Sequence, residues 1–306
     1  MPPKKNVVRF ILPVMILLST CTNAHESTPQ EDQAYTKKID DWHKGRIGRL
    51  RSGTGWLSLA GLFWLKEGEN TFGSGKENDI VFPEKAADHL GSFFLQDGVV
   101  SIKVKEGATV LYKEDAVREM QLRDDQLKDR TELLSGSLLW YAVKRVDRFG
   151  IRLKDTEHQR IKAFKGIERF PVSGKWRIKS KFVPYEPVKS IPIPNVLGNI
   201  NDERCPGYLE FEIAGQKYKL DVLGKEGGDD FFVIFGDLTN GAETYGAGRF
   251  VYTDLPDENG NVFLDFNKTY NPPCVFSEFA TCSLPPNQNR LSLKVEAGEK
   301  KYREGH

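Results

Sequence analysis

The sequence predicts a mainly β protein built in two parts and led by one short helix. Three observations predict it. From Trp176 onward, apolar runs such as CPGYLEFEIAG, QKYKLDVLG, DDFFVIFGD and GRFVYTD arrive about every ten residues with Gly, Asn or Pro between them, the spacing of an antiparallel sandwich or barrel. Ahead of them, shorter runs rich in Val, Ile, Phe and Tyr (ENTFGSG, NDIVFPE, SFFLQDG, VVSIKVKEG) alternate with turn residues and mark a first β-domain. From Ala34 to Leu50 the apolar residues Tyr35, Ile39, Trp42, Ile47 and Leu50 recur at helical spacing, with Asp40, Asp41, Lys44 and Arg46 on other faces.

In chain order, Lys4, Lys5 and Arg9 precede an apolar run from Phe10 to Leu18. That run is too short for the roughly 20 residues a bilayer span needs and fits the core of a secretory signal. Leu18-Ser19-Thr20-Cys21 resembles the lipobox of bacterial lipoproteins, which implies a signal peptide over residues 1–21 that ends at the lipobox cysteine, with Cys21 kept as the lipidated mature N-terminus and membrane anchor. An ordinary export signal with an incidental cysteine is the other reading. Both place the protein in the cell envelope, as a periplasmic or outer-membrane-anchored protein. Residues 22–35 are polar without apolar period and read as a flexible tether; residues 36–165 then form the helix and first β-domain, and residues 166–302 the second.

Gly53-Thr54-Gly55 closes the helix, and the aromatic-rich run Trp56 to Leu65 reads as core. The segment LKEGENTFGSGKENDIVFPEKAADHLGSFFLQDGVVSI resembles the front half of a forkhead-associated domain, which implies a β-sandwich there. Ser74 stands where that family's phosphate-contacting arginine would be and Ala86 where a serine would be, so no phosphopeptide is expected and His89 is a structural hydrogen-bonding residue. Residues 113–132 mix charges of both signs, the mark of a solvated face. Leu138 to Val146 and RFGIRLKD (148–155) are strands that close the first half.

Composition excludes several functions. Lys plus Arg is 44 and Asp plus Glu is 43, so no net field draws nucleic acid. The five histidines are scattered and HxH, HExxH and paired CxxC are absent, so neither a metal nor a cofactor is expected. No Gly-x-Ser-x-Gly elbow supports a serine nucleophile.

The segment from Asp229 to Cys282 concentrates the candidate site. Asn240-Gly241 and Gly246-Ala247-Gly248 are turn and close-approach signals, and without a helix after them they are no nucleotide loop. Arg249 can meet a carboxylate or phosphate bidentately, or pair with Glu243 or Asp265 inside the fold. Asp237, Glu243, Tyr245, Asp265, Asn267, Tyr270 and Asn271 complete a set able to hydrogen-bond a small polar ligand, or to cap turns. Cys274 and Cys282, close in sequence and flanked by prolines, are the favoured disulfide, closing a loop worth about 2.5 kcal/mol in the chain-entropy account and leaving Cys205 unpaired.

Taken together, DWHKGRIGRLRSGTGWLSLAGLFWLKEG, RFGIRLKD, GDLTNGAETYGAGRFVY and DFNKTYNPPCVFSEFATCSLPPNQNRLSLKVEAGEK resemble the bacterial DUF1684 family. That resemblance implies no activity. Three readings stay open: a binding protein for a small polar or amphipathic ligand around Arg249, Asp265, Asn267 and Tyr270; a hydrolase of envelope or imported glycans using a carboxylate pair about 5 to 9.5 Å apart; and a structural or interaction lipoprotein.

Overall fold

The computed structural model describes Met1 and residues 29–302. The signal segment, Cys21 and residues 22–28 lie outside the described residues. Of the described residues, strand makes up 43% and helix 15%, so the fold is mainly β with several antiparallel sheets, one of them curled into a half-barrel.

Helix α1 spans Pro29–Arg51, with Glu31 and Asp32 in its first turn and Arg49 and Arg51 in its last, each suited to the local end of the helix dipole. Residues 29–35, expected as tether, are therefore helical. The reason is tertiary: the Tyr35 hydroxyl donates to Asp265 Oδ1 at 2.8 Å, a partner 230 residues away that local polarity cannot reveal.

The first half contains β1 (Leu59–Trp64), β2 (Gly68–Gly73), β3 (Ile80–Val81), β4 (Gly91–Gln96), β5 (Val99–Val104), β6 (Leu111–Tyr112), β7 (Asp115–Ala116), β8 (Glu119–Leu122), β9 (Leu133–Ser135), β10 (Leu138–Arg145) and β11 (Arg148–Asp155). They form a six-stranded sheet, β1-β11-β10-β9-β6-β7, and a five-stranded sheet, β3-β2-β4-β5-β8. Phe72, Phe93, Trp140, Ile151 and Leu153 fill the space between the two, with Trp140 edge-on to Phe82 at 5.4 Å. His89 Nδ1 meets Asn78 Oδ1 at 2.7 Å, a bond internal to this layer.

Strand periodicity decides what the six-stranded sheet shows on its outer face. Phe149, Ile151 and Leu153 of β11 enter the core, so Arg152 and Lys154 face the other way, beside Tyr141 of β10, which pairs directly with Arg152. That face is covered rather than solvated: Arg152 is 3% exposed.

After the short helix α2 (Gln159–Ala163), the second half contains β12 (Arg177–Pro194), β13 (Ile200–Ile213), β14 (Gln216–Val222), β15 (Asp230–Phe235), β16 (Arg249–Asp254) and β17 (Asn261–Asp265). A four-stranded sheet, β14-β13-β12-β17, packs against the hairpin β15-β16. One face of the hairpin, with Phe231, Val233, Phe235 and Val251, meets Leu209, Phe211 and Leu220 of the sheet. The other carries Phe232, Ile234 and Phe250 beside Ile191, Ile193 and Tyr270. Burial on both faces explains why DFFVIF is uniformly apolar.

Helix α1 precedes the first β-domain in sequence yet bonds to the second half. Arg46 Nε donates to Glu299 Oε1 at 2.7 Å, and Leu50 packs on Val275 and Phe276.

Candidate functional site

Most of the candidate residues singled out in the sequence turn inward. Arg249 is fully buried; its Nη2 donates to Asp237 Oδ2 at 2.7 Å and to Val295 O at 2.8 Å, and its Nη1 donates to Ala297 O and to Thr269 Oγ1. Asp237 also accepts from Thr239 N and Thr239 Oγ1 at 2.8 and 2.6 Å. This pair therefore fastens the C-terminal segment to β16. Gly248 makes the approach possible, at φ +100 and with space for a Cβ only 2.4 Å from Pro285 Cγ.

Asp265 caps the 3-10 turn Phe266–Lys268 by accepting from Asn267 N at 3.1 Å, and Asn267 Nδ2 donates to Ser173 O at 3.0 Å. Asn271 N donates to Glu299 Oε2 at 2.7 Å and its Nδ2 to Lys300 O at 2.8 Å. The backbone carbonyl of Glu243 accepts from Lys301 N. Asp237 and Asp265, two carboxylates that a hydrolase pair could draw on, are thus bonded within the fold. Tyr270 differs, because it lines an open cleft.

The expected disulfide is corrected: Cys205, Cys274 and Cys282 are free thiols. Proximity in sequence does bring Cys274 and Cys282 together, but the Cys282 sulfur accepts the Cys274 amide at 2.9 Å while Cys274 faces the Tyr245 hydroxyl at 3.6 Å. The contact with Cys282 draws the Cys274 thiol pKa down, and burial pushes that of Cys282 up. Cys205 is raised to about 11 by burial and then by Asp221, so it is inert.

The cleft lies where the two halves and α1 meet. Three cavities of about 710, 550 and 530 Å³ adjoin one another and share Phe232. The largest is bounded by the β10–β11 turn, the start of β13, Trp56 and the loop Ala280–Ser283; the smallest of the three by α1 through Trp42, Arg46 and Arg49.

Its floor is an aromatic ladder that alternation on the hairpin sets up. Phe232 lies opposite Tyr252 in register and stacks on it at 4.7 Å. Tyr252 in turn lies nearly parallel to Tyr270 at 6.3 Å, and Phe250 meets Phe232 edge-on at 5.0 Å. The Arg46 guanidinium, held by Glu299, sits 4.4 Å above the Tyr270 ring and ends the ladder.

One wall is cationic and the other carries both signs. The charged lining residues of α1 and the first half, Arg46, Arg49, Lys144, Arg145 and Arg152, are all cations, whereas the second half brings Asp202, Glu203, Asp229, Asp230 and Asp254 together with Arg204, Lys225 and Lys268. Arg145 is neutralised by Asp125 in a bidentate pair at 2.9 and 2.7 Å. Arg152 has no carboxylate within ion-pair distance among the described residues. Its Nη2 donates to Thr281 Oγ1 at 3.3 Å, the Tyr141 side chain contacts it, and its Nε is buried without a partner. Burial works against its charge, with Tyr141 next in effect and on the opposite side.

Sequence reasoning missed Phe232, Phe250, Arg46 and Arg152. One signal was present for Arg152: in RFGIRLKD, Arg148, Arg152 and Lys154 alternate with apolar residues and share a strand face that carries no acid.

Residues 162–300 match the model of a family described as "Protein of unknown function (DUF1684)", which supports the resemblance across the second half. The solution NMR structure of an uncharacterized protein from Haloarcula marismortui is 26% identical over 48% of this chain and 82% of that chain, with a TM-score of 0.40. No curated protein matches the chain.

Proposed function

We propose that this protein binds a small amphipathic ligand in the cleft between its two halves. The observation that carries the proposal is the ladder Phe232–Tyr252–Tyr270, which lines adjoining cavities and leaves Tyr252 48% exposed. Stacked aromatic rings left open to a concave space offer an apolar surface for a ligand body, and charged groups at the rim orient it. The location differs from the one the sequence suggested: the ligand sits on Tyr270 and the hairpin, and Arg249, Asp265 and Asn267 hold the wall from behind.

A neutral aromatic probe such as phenylacetamide, titrated by thermal shift, tests this reading. A ligand that binds only the folded state raises its melting temperature with concentration. The expected result is a saturable rise that Phe232→Ala removes. A flat response to neutral aromatic and aliphatic probes alike would sink the reading in favour of a structural or interaction role.

Export and anchoring through Cys21 belong to the same proposal, since the ligand would then be met in the envelope. Metabolic labelling with a radioactive fatty acid tests it; label retained in Cys21→Ser would overturn the anchor.

A further inference from the structure

We propose that Arg152, Arg145 and Thr281 form an oxyanion subsite that takes a carboxylate or phosphate group at the deep end of the largest cavity. The inference rests on the ligand-binding reading for its setting and adds the class of ligand, an amphipathic anion.

Donor and acceptor counting leads to it. Thr281 Oγ1 accepts from Arg152 Nη2 at 3.3 Å and from Arg145 Nε at 3.2 Å. A hydroxyl has two acceptor sites and one donor, so both acceptor sites are occupied and the proton is left to donate. No acceptor for that proton lies within reach among the described residues. Arg152 brings a guanidinium that is 3% exposed, lines the cavity and has an unpartnered Nε. The groups bonded to Thr281 therefore present donors, and the acid in ion-pair contact with them, Asp125, is engaged by Arg145.

A buried cation without a directly paired carboxylate is unfavourable, and here Tyr141 and Asp125 offset the burial of Arg152 only in part. A bound oxyanion would supply the missing counter-charge, and a planar guanidinium suits carboxylate and phosphate geometry. The loop is pinned for the purpose: Val196 N donates to Cys282 O at 3.0 Å, and Leu284 N donates to Pro194 O at 2.7 Å. These bonds tie the loop to the end of β12 and the turn after it, while the Thr281 hydroxyl reaches Arg145 and Arg152 of the first half. The carboxylates Asp202 and Glu203 stand on the facing wall, at exposed positions of β13. They repel an anion from the cavity mouth and leave the Arg152 end as its favourable seat.

The test uses the full mature chain and two independent arms. In the first, inorganic phosphate and acetate are titrated at constant ionic strength against wild type, Arg152→Gln and Thr281→Val, with melting temperature as the readout. At least one of the two anions should bind the wild type saturably, and about tenfold or more weaker to either variant. Comparison of the two anions identifies the head group. Equal responses of wild type and both variants, or no response to either anion, overturn the inference. Thr281→Val keeps the test decisive should Arg152→Gln fail to fold. In the second arm, phenylacetate is compared with phenylacetamide on wild type and Phe232→Ala. Loss of both ligands in Phe232→Ala with intact phosphate binding upholds the subsite and the cleft together. Phosphate binding that depends on Arg152, with neither aromatic probe binding, keeps the subsite and removes the amphipathic reading.

Discussion

Arg249 and Arg152 are both buried arginines, and their surroundings give them opposite roles. Arg249 is ion-paired with Asp237 and also bonded to Thr269 and two carbonyls, with only its Nε left unpartnered, so its charge is matched and its position is structural. Arg152 has no carboxylate in ion-pair contact among the described residues and lines a cavity wall, so its charge is available. Removing the partner of a fully buried ion pair leaves a stranded charge, which typically costs about 3–5 kcal/mol. Asp237→Asn should therefore lower unfolding stability by about that much in urea titration, with no change in the slope against denaturant. A loss under 1 kcal/mol would mean that the carbonyls alone satisfy Arg249.

At the scale of elements, α1 is the piece whose placement matters most. It is amphipathic but weakly so, and an isolated helix of this kind is marginal in water. Its order comes from Arg46 bonded to Glu299 and Asn271, Tyr35 bonded to Asp265, and Ile39 and Leu50 buried beneath it. Glu299 is reached because Gly298 takes φ +72, where a Cβ would lie 2.0 Å from Thr269 Oγ1. Glu299→Gln should loosen α1 and lower stability by about 3 kcal/mol. Limited proteolysis should then cut within residues 29–51 well before the β-halves; digestion at the wild-type rate would show that Arg46 does not hold the helix. The same variant should weaken ligand binding, because Arg46 ends the aromatic ladder.

At the scale of the molecule, α1 and the second half each carry a half-buried tyrosine whose ionisation opposes the fold, Tyr35 and Tyr270. Tyr35 and Tyr270 have their pKa values raised, each first by burial, with Asp265 adding to the effect on Tyr35 and Tyr252 to that on Tyr270. A raised folded-state pKa means that the stabilisation is fully present below the unfolded value near 10 and is lost as pH rises above it. Stability measured by denaturant titration should therefore be flat on this account up to about pH 9 and fall from pH 10 upward. Tyr35→Phe and Tyr270→Phe together should make that fall shallower. An unchanged alkaline limb in the double variant would contradict the assignment.

The sequence by itself determined the strands, the leading helix and the mainly β class, because period-2 and helical patterns are local and are imposed by the backbone whatever surrounds it. It also marked Asp229 to Cys282 as constrained, since Asn-Gly, Gly-Ala-Gly and paired prolines restrict the backbone wherever they occur. Only the tertiary structure decided what the constraint serves. Asp237 and Arg249 lie close in sequence, yet whether they met each other or a ligand depended on Val295 and Ala297, some fifty residues further on. The cleft was less legible still: Phe232 and Tyr270 come from the second half, Arg152 from the first and Arg46 from α1, and no local pattern records which faces of three separate elements will be brought to one space. Burial and charge compensation are sums over the whole fold, so the difference between a structural arginine and an available one became visible only when every neighbour was in place.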